Sequence, residues 1–123
     1  MLEVYSINKE VGDNSAIPFD NVSIKKGCTS ELSGTSTIAL NRCGVYMVAF
    51  NATAGTSTTV QLYKDGVAQE QAQATGTSLA FVTLVRVGEN NTNCPCASPV
   101  NLQFMNETTN TFTNVNVVVT KIV

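Results

Sequence analysis

Hydrophobic and polar positions alternate with a period of two along most of this chain, and in three stretches the alternation gives way to apolar residues on both sides. The first is Gly44-Val45-Tyr46-Met47-Val48-Ala49-Phe50-Asn51-Ala52-Thr53. In a strand, successive side chains point to opposite faces, so Tyr46, Val48 and Phe50 share one face while Val45, Met47 and Ala49 share the other. Ser78–Val87 behaves alike, with Leu79, Phe81 and Val85 opposed to Ala80, Val82 and Leu84, and so does Val115–Val123. By contrast, Thr58–Lys64 puts Val60 and Leu62 on one side and Gln61 and Tyr63 on the other, and Val100–Phe104 alternates strictly. A strand of a lone two-layer sandwich buries one face and wets the other. The three two-sided stretches therefore predict a second cover, and in a chain of 123 residues that cover is another copy of the chain.

Shorter segments complete the pattern. Glu3–Asn8 reads as a first strand and Val22–Ile24 as a brief one. Glu10–Ser15 reads as a polar turn, Gly27–Gly34 as loop and Thr35–Leu40 as a further alternating strand. Val67–Ala74 reads as a polar edge strand, joined to Thr58–Lys64 by Asp65-Gly66, the strongest short hairpin signal in the chain. Pro18 lacks an N–H and belongs at an edge or in a loop. Ala54–Ser57, Gln73–Thr77 and Glu89–Ser98 read as loops. No window carries apolar residues at helical spacing over three turns. The expectation is an all-β, two-sheet antiparallel sandwich of about eight to ten strands, a single domain over residues 1–123.

Composition sharpens this reading. Sixteen Thr and thirteen Asn supply much of the polar surface, and only 13% of residues are charged, about half the usual share of roughly 25%. Thr suits a pleated surface and Asn suits turns. With a net charge of −2 and Lys25-Lys26 as the one adjacent cationic pair, nucleic acid is not an expected partner, because counterion release needs clustered cations. No apolar run reaches membrane-spanning length, so no membrane insertion is expected. The N-terminus lacks the basic, apolar and small-residue succession of a secretion signal. If the protein acts outside a cell, the expectation is that it travels on a particle or is released by lysis.

The chain contains no histidine, which removes the commonest general base and nucleophile activator. None of its nine carboxylates falls in an Asp-rich calcium loop. Asp20 follows an apolar run but reads as a turn former. No enzyme activity, catalytic residue, cofactor or metal is expected.

The pattern Leu40-x-x-x-Gly44-x-Tyr46-x-Val48-x-Phe50-Asn51, followed by Val60-x-Leu62-x-x-Asp65-Gly66, resembles the jelly roll shared by tumour necrosis factors and complement globular heads. Ile17-Pro18-Phe19-Asp20 and the closing valine strand extend the resemblance over nearly the whole chain. Small versions of this jelly roll occur in phage fibres and in collagen-like glycoproteins of spore coats. The resemblance implies an inner sheet of the first, third, sixth and last strands, with three copies packing those sheets about a threefold axis. It thereby implies a subunit core of Tyr46, Val48, Phe50, Val60, Leu62, Phe81, Leu102 and Phe104. Met47, Ala49, Val82, Leu84, Val118 and Ile122 would form the trimer interface, with Asn51 beside them. The chain departs from the animal cytokines in lacking Trp and their long receptor-contact loops; its Thr/Asn-rich style and Cys-Pro-Cys are nearer the bacterial and phage members.

Four cysteines, Cys28, Cys43, Cys94 and Cys96, form a possible disulfide or thiol cluster. Free thiols are preferred, disulfides come second and a four-thiolate zinc site third, since Cys-x-Cys is tighter than structural zinc spacing favours. Asn-x-Ser/Thr triplets at Asn21, Asn51, Asn90 and Asn106 are what an Asn- and Thr-rich chain produces by chance. The functional expectation is a structural homotrimer on a phage virion surface, as a head fibre, decoration or tail-associated knob held by other virion proteins. The alternatives are a trimeric module that binds a host glycan or receptor through the three loops above, and a spore- or cell-surface head. All three tyrosines lie in expected strands, so those loops lack aromatic platforms for sugars.

Overall fold

A computed structural model describes residues 1–88 and 99–123. Nine strands are present among them: β1 (Leu2–Val11), β2 (Ser15–Ala16), β3 (Asn21–Lys25), β4 (Ser30–Ser33), β5 (Thr37–Leu40), β6 (Gly44–Lys64), β7 (Val67–Val87), β8 (Val100–Asn106) and β9 (Asn110–Lys121). There is no helix among the described residues, hence none long and apolar enough to cross a membrane. Strand order is β3-β1-β9-β6-β8-β5-β4, with β7 along β6 and β2 against β8.

Two strands of 21 residues, β6 and β7, organise the rest. The first half of β6 pairs with β9 and the second half with β8, so this one strand runs through both layers of the sandwich. Its even-numbered residues from Tyr46 to Ala54 are buried, and so are Thr58, Val60 and Leu62. The inward face therefore passes from one layer to the other without a slip. Ala54–Ser57, expected as a loop, is instead the bend between the layers. There β6 carries three residues more than β7, since Thr53 pairs with Ser78 and Thr58 with Gly76. Gly55 fits the bend because a Cβ there would lie 3.3 Å from the Thr111 carbonyl oxygen.

β7 follows β6 through the same bend, so Gln73–Thr77 is also strand rather than loop. Its inward residues are Leu79, Thr83, Val85 and Val87 in one layer and Ala72 in the other. Their parity switches near Gly76, which sits at φ +130°, a region that side chains other than Gly's rarely occupy. At the far end, Asp65 and Gly66 adopt φ 50° and 81°, both positive as the tight hairpin turn requires. The Asp65 backbone N–H donates to the Asn101 carbonyl and its carboxylate accepts from the Asn101 N–H, both at 2.8 Å.

The core lies between the layers. One row across the first layer reads Val4–Val117–Phe50–Phe81. Phe50 stacks on Phe81 and, across the interior, on Phe104 of β8, each at 5.1 Å. Tyr46, Val48, Phe50, Val60, Leu62, Leu102 and Phe104 are buried. Phe81 is only half-buried; among the described residues β7 pairs with β6 alone and so forms an edge. Tyr46 is fully buried, and its hydroxyl lies 2.8 Å from the Arg42 carbonyl and 3.2 Å from that of Thr29. That anchors the turn leading into β6.

Segment ends differ from expectation in a few places. β1 runs to Val11, which is buried, so the polar turn begins only at Gly12. β4 falls inside the span expected to be loop, and its Leu32 packs on the core. The final strand begins at Asn110 rather than Val115 and ends at Lys121.

Candidate functional site

The outward face of the first layer is built from β1, β9, the first half of β6 and the second half of β7. Pairing aligns its side chains in rows. One row is Glu3–Val118–Ala49–Val82, and the next is Thr120–Met47–Leu84. In the other direction the rows become polar, with Tyr5–Asn116–Asn51–Ala80 and then Ile7–Asn114–Thr53–Ser78. Val82 is 66% exposed, Leu84 56%, Ile7 59% and Ile122 50%. Met47, Ala49 and Val118 are half-buried between their neighbours. Five of the six residues expected at an interface, Met47, Ala49, Val82, Leu84 and Val118, therefore lie on this one face, with Ile122 just past the end of β9, and the chain alone does not cover it. The sequence reading had named neither Ile7 nor Tyr5 for this face. Period-two alternation in β1 was the signal that could have placed them here.

Glu3 closes one side of the face. Its carboxylate accepts from the Ser23 hydroxyl at 2.6 Å and the Asn116 side-chain amide at 3.2 Å. These bonds, Ser23's first and Asn116's second, hold its pKa below the ordinary glutamate value, against a small opposing effect of desolvation. Asp20 pairs with Lys9 at 3.1 Å on the surface, and its N–H donates to the Ser6 hydroxyl at 2.8 Å. It is thus a turn residue with an exposed ion pair.

At one end of the sandwich Asn106 is fully buried. Its amide nitrogen faces the carbonyls of Val11, Gly12 and Thr108, and its oxygen accepts from the Thr58 hydroxyl at 2.7 Å. With every side-chain group engaged, the triplet beginning at Asn106 cannot accept a glycan in the folded chain.

The thiols differ from the preferred expectation. Cys43 is disulfide-bonded, while Cys28 is a free, exposed thiol with an Arg42 guanidinium nitrogen 4.0 Å away. Cys94 and Cys96 lie outside the described residues. A disulfide at Cys43 overturns free thiols at that position and removes the four-thiolate zinc site. Pairing depends on which residues meet in space, which spacing along the chain could not reveal. No group of three or more metal-ligating side chains occurs among the described residues.

On the outward face of the second layer lies a cavity of about 310 Å³, lined by Asn14, Thr59, Gln61, Tyr63, Met105, Asn106 and Glu107. Of the three loops expected to bind a ligand, two are strand and Glu89–Ser98 lies outside the described residues. The missed feature is Tyr63, an aromatic residue on a strand that opens onto a cavity rather than onto a flat sheet.

The fold has known counterparts. The globular domain of zebrafish complement 1qA is similar, with a TM-score of 0.72, 9% sequence identity, and 99% of this chain and 96% of that one covered. The fold resembles a complement globular head. Murine APRIL is similar at a TM-score of 0.61 and 7% identity, with 98% of each chain covered. These likenesses establish a jelly roll of the complement and tumour-necrosis-factor type. No protein-family model and no curated protein sequence matches the chain.

Proposed function

We propose that the chain is a non-enzymatic module that assembles as a homotrimer through the outward face of β1, β9, β6 and β7. The observation that carries this reading is the row pattern of that face, which brings Val118, Ala49, Val82, Met47 and Leu84 together with two of them more than half exposed. Contiguous apolar surface of this kind is unusual on a soluble monomer and accompanies association. The jelly-roll fold supports the same geometry, since the family that the sequence resembles packs its inner sheets about a threefold axis. Closed cyclic symmetry also satisfies an identical patch on every copy.

The module acts on a phage virion surface, as a head fibre, decoration or tail-associated knob in contact with other virion proteins. The Thr- and Asn-rich composition and the departures from animal cytokines support this placement. Light scattering at several dilutions, with and without reductant, tests the assembly: a concentration-independent mass of three chains is expected, and a monomer refutes it. Mass spectrometry of purified particles tests the placement, which fails if the chain fractionates with spores or cell envelopes instead.

A second reading, recognition of a host glycan or surface receptor by the same trimer, is favoured by the cavity at Tyr63. An array of glycans probed with the intact protein separates a binding module from a purely structural one.

A further inference from the structure

The cavity on the outward face of the second layer has the chemistry of a specific ligand site. Its floor and walls come from two strands and two turns: Thr59, Gln61 and Tyr63 from β6, Met105 and Asn106 from β8, Asn14 from the turn before β2 and Glu107 from the turn after β8. Two backbone bonds hold those turns in place. The Asn14 N–H reaches the Glu107 carbonyl at 3.4 Å, and the Glu107 N–H donates to the Thr59 carbonyl at 3.0 Å. Asn14 sits at φ 51°, a left-handed conformation that Asn tolerates better than most residues. The rim is therefore part of the fold.

Its polar groups are available. Among the described residues, the Tyr63 hydroxyl, the Asn14 side-chain amide and the Glu107 carboxylate make no hydrogen bond within the chain. Gln61 uses its amide nitrogen on the Gln69 carbonyl at 3.3 Å, which leaves its oxygen free to accept. Together these give a donor-acceptor hydroxyl, an amide with both functions, an amide oxygen and a carboxylate. The apolar surface comes from Tyr63 and Met105. A few convergent polar groups beside an aromatic wall is the usual build of a small-molecule site, and the volume sits at the lower end of the range of about 300–1,000 Å³ for such sites.

The charge pattern narrows the ligand. Among the described residues no lysine or arginine lines the cavity, and the one ionisable side chain of clear charge there is the Glu107 carboxylate. Phosphate, sulfate and sialic acid are disfavoured, because nothing offsets their charge and Glu107 repels it. A hydrocarbon would leave the amides and the carboxylate unsatisfied. A sugar ring fits both demands, since its C–H face packs on an aromatic ring while its hydroxyl edges donate to carboxylate and amide oxygens and accept from amide N–H groups. We infer that the cavity lined by Asn14, Gln61, Tyr63, Met105 and Glu107 binds a neutral saccharide of one or two rings.

This inference rests on the binding-module reading and gives that reading an address. The site lies on a strand of the second layer, away from the first-layer face assigned to association, so each subunit of a trimer keeps its own copy. Three weak sites on one particle then act together on a glycan-coated surface.

The test is an amide-resolved NMR titration of the intact protein with glucose, galactose, mannose, N-acetylglucosamine and rhamnose, with glucose 6-phosphate and sialic acid as anionic counterparts. At least one neutral sugar should give saturable shifts centred on Asn14, Thr59, Gln61, Tyr63, Met105 and Glu107, with a dissociation constant on the order of 1 mM. Tyr63→Ala, with an otherwise unchanged spectrum, should weaken that binding at least about fivefold, as loss of an aromatic anchor does. Glu107→Ala serves as the second variant, because its exposed side chain makes no bond to the other described residues. Saturable binding that maps elsewhere, that both variants leave unchanged, or that prefers the anionic sugars overturns the site. Silence toward every sugar overturns the binding-module reading itself, and the site with it.

Discussion

Replacing Leu84 by Asp is the sharpest test of the association face. Leu84 lies on the outward side of β7, opposite Met47, and keeps 56% of its surface in solvent within the single chain. Fully burying a Leu side chain is worth about 1.5–3 kcal/mol, so burying the remaining half contributes about 1–1.5 kcal/mol per subunit. In the proposed trimer, this one position would supply on the order of 3–4 kcal/mol over three subunits. The substitution removes that contribution and places three carboxylates in a face that has to desolvate, at a cost of several kcal/mol each if they stay charged and unpaired. At about 1.4 kcal/mol per factor of ten, the loss moves dissociation far above micromolar working concentrations.

Within one subunit the same change is mild. The side chain is more than half exposed on an edge strand, and surface substitutions of that kind alter stability by about 0.5 kcal/mol or less. Light scattering should then report one chain for Leu84→Asp where the unaltered protein reports three, while the urea midpoint of the isolated subunit stays that of a folded domain. Val82→Asp, one row away and 66% exposed, should behave alike. A three-chain mass for both variants would show that this face is not where copies meet.

Other positions give independent checks. Phe50→Ala empties the space between Phe81 and Phe104, both 5.1 Å from the Phe50 ring centroid, and should destabilise the subunit by about 3–5 kcal/mol; an unchanged denaturant midpoint contradicts the core assignment. Gly44→Ala should cost about 1–3 kcal/mol, since Gly44 sits at φ +146° and a Cβ there would collide with the Val123 carbonyl oxygen and the Lys121 side chain. A midpoint equal to the parent's would show that the C-terminal residues are free to move aside. Glu3, whose folded pKa lies below its unfolded value, stabilises the fold fully above the ordinary glutamate range, and that contribution disappears as the pH falls through this range to the lowered folded value. The midpoint difference between the parent and Glu3→Gln should therefore be present at pH 7 and shrink in acid, and a difference independent of pH would refute the linkage.

What the sequence made legible was the inside-outside parity, and where parity was simple the reading was complete. Val48 and Phe50 read as core, and Met47 and Ala49 as the opposite face, because β6 keeps one inside-outside parity along its length even where its pairing register shifts. Asp65-Gly66 gave the hairpin because its positive φ values are a local demand. The strand breaks were misplaced for a physical reason. Ala54-Gly55-Thr56-Ser57 is small and polar, as a loop would be, yet Ala54 is buried and the segment is the bend of one long strand. In β7 the parity switch near Gly76 had the same appearance. β4 was hidden because glycines at 27 and 34 bracket it and only Leu32 among its four residues is large and apolar. The Cys43 disulfide and the Tyr63 cavity depend on which distant segments meet, a property of topology that no local pattern encodes.

The two surfaces assigned here are tied together by β6. Its odd-numbered residues point outward throughout: Val45, Met47 and Ala49 in the first layer, then Thr59, Gln61 and Tyr63 in the second. Because the strand passes from one layer of the sandwich to the other, these two outward sets look in opposite directions. The composition changes with them, from aliphatic and thioether groups to hydroxyl, amide and phenol. Self-association through the first half therefore leaves the second half facing solvent. The two functions should then separate by mutation, as distant sites without shared partners do. Leu84→Asp should leave the single-site sugar affinity unchanged by NMR while lowering retention on a densely glycosylated surface, where the intact trimer gains from simultaneous engagement. Tyr63→Ala should do the reverse, keeping the three-chain mass and losing the sugar. If Leu84→Asp also abolished the single-site shifts, the cavity would depend on a neighbouring copy, and the division of labour along β6 would be wrong.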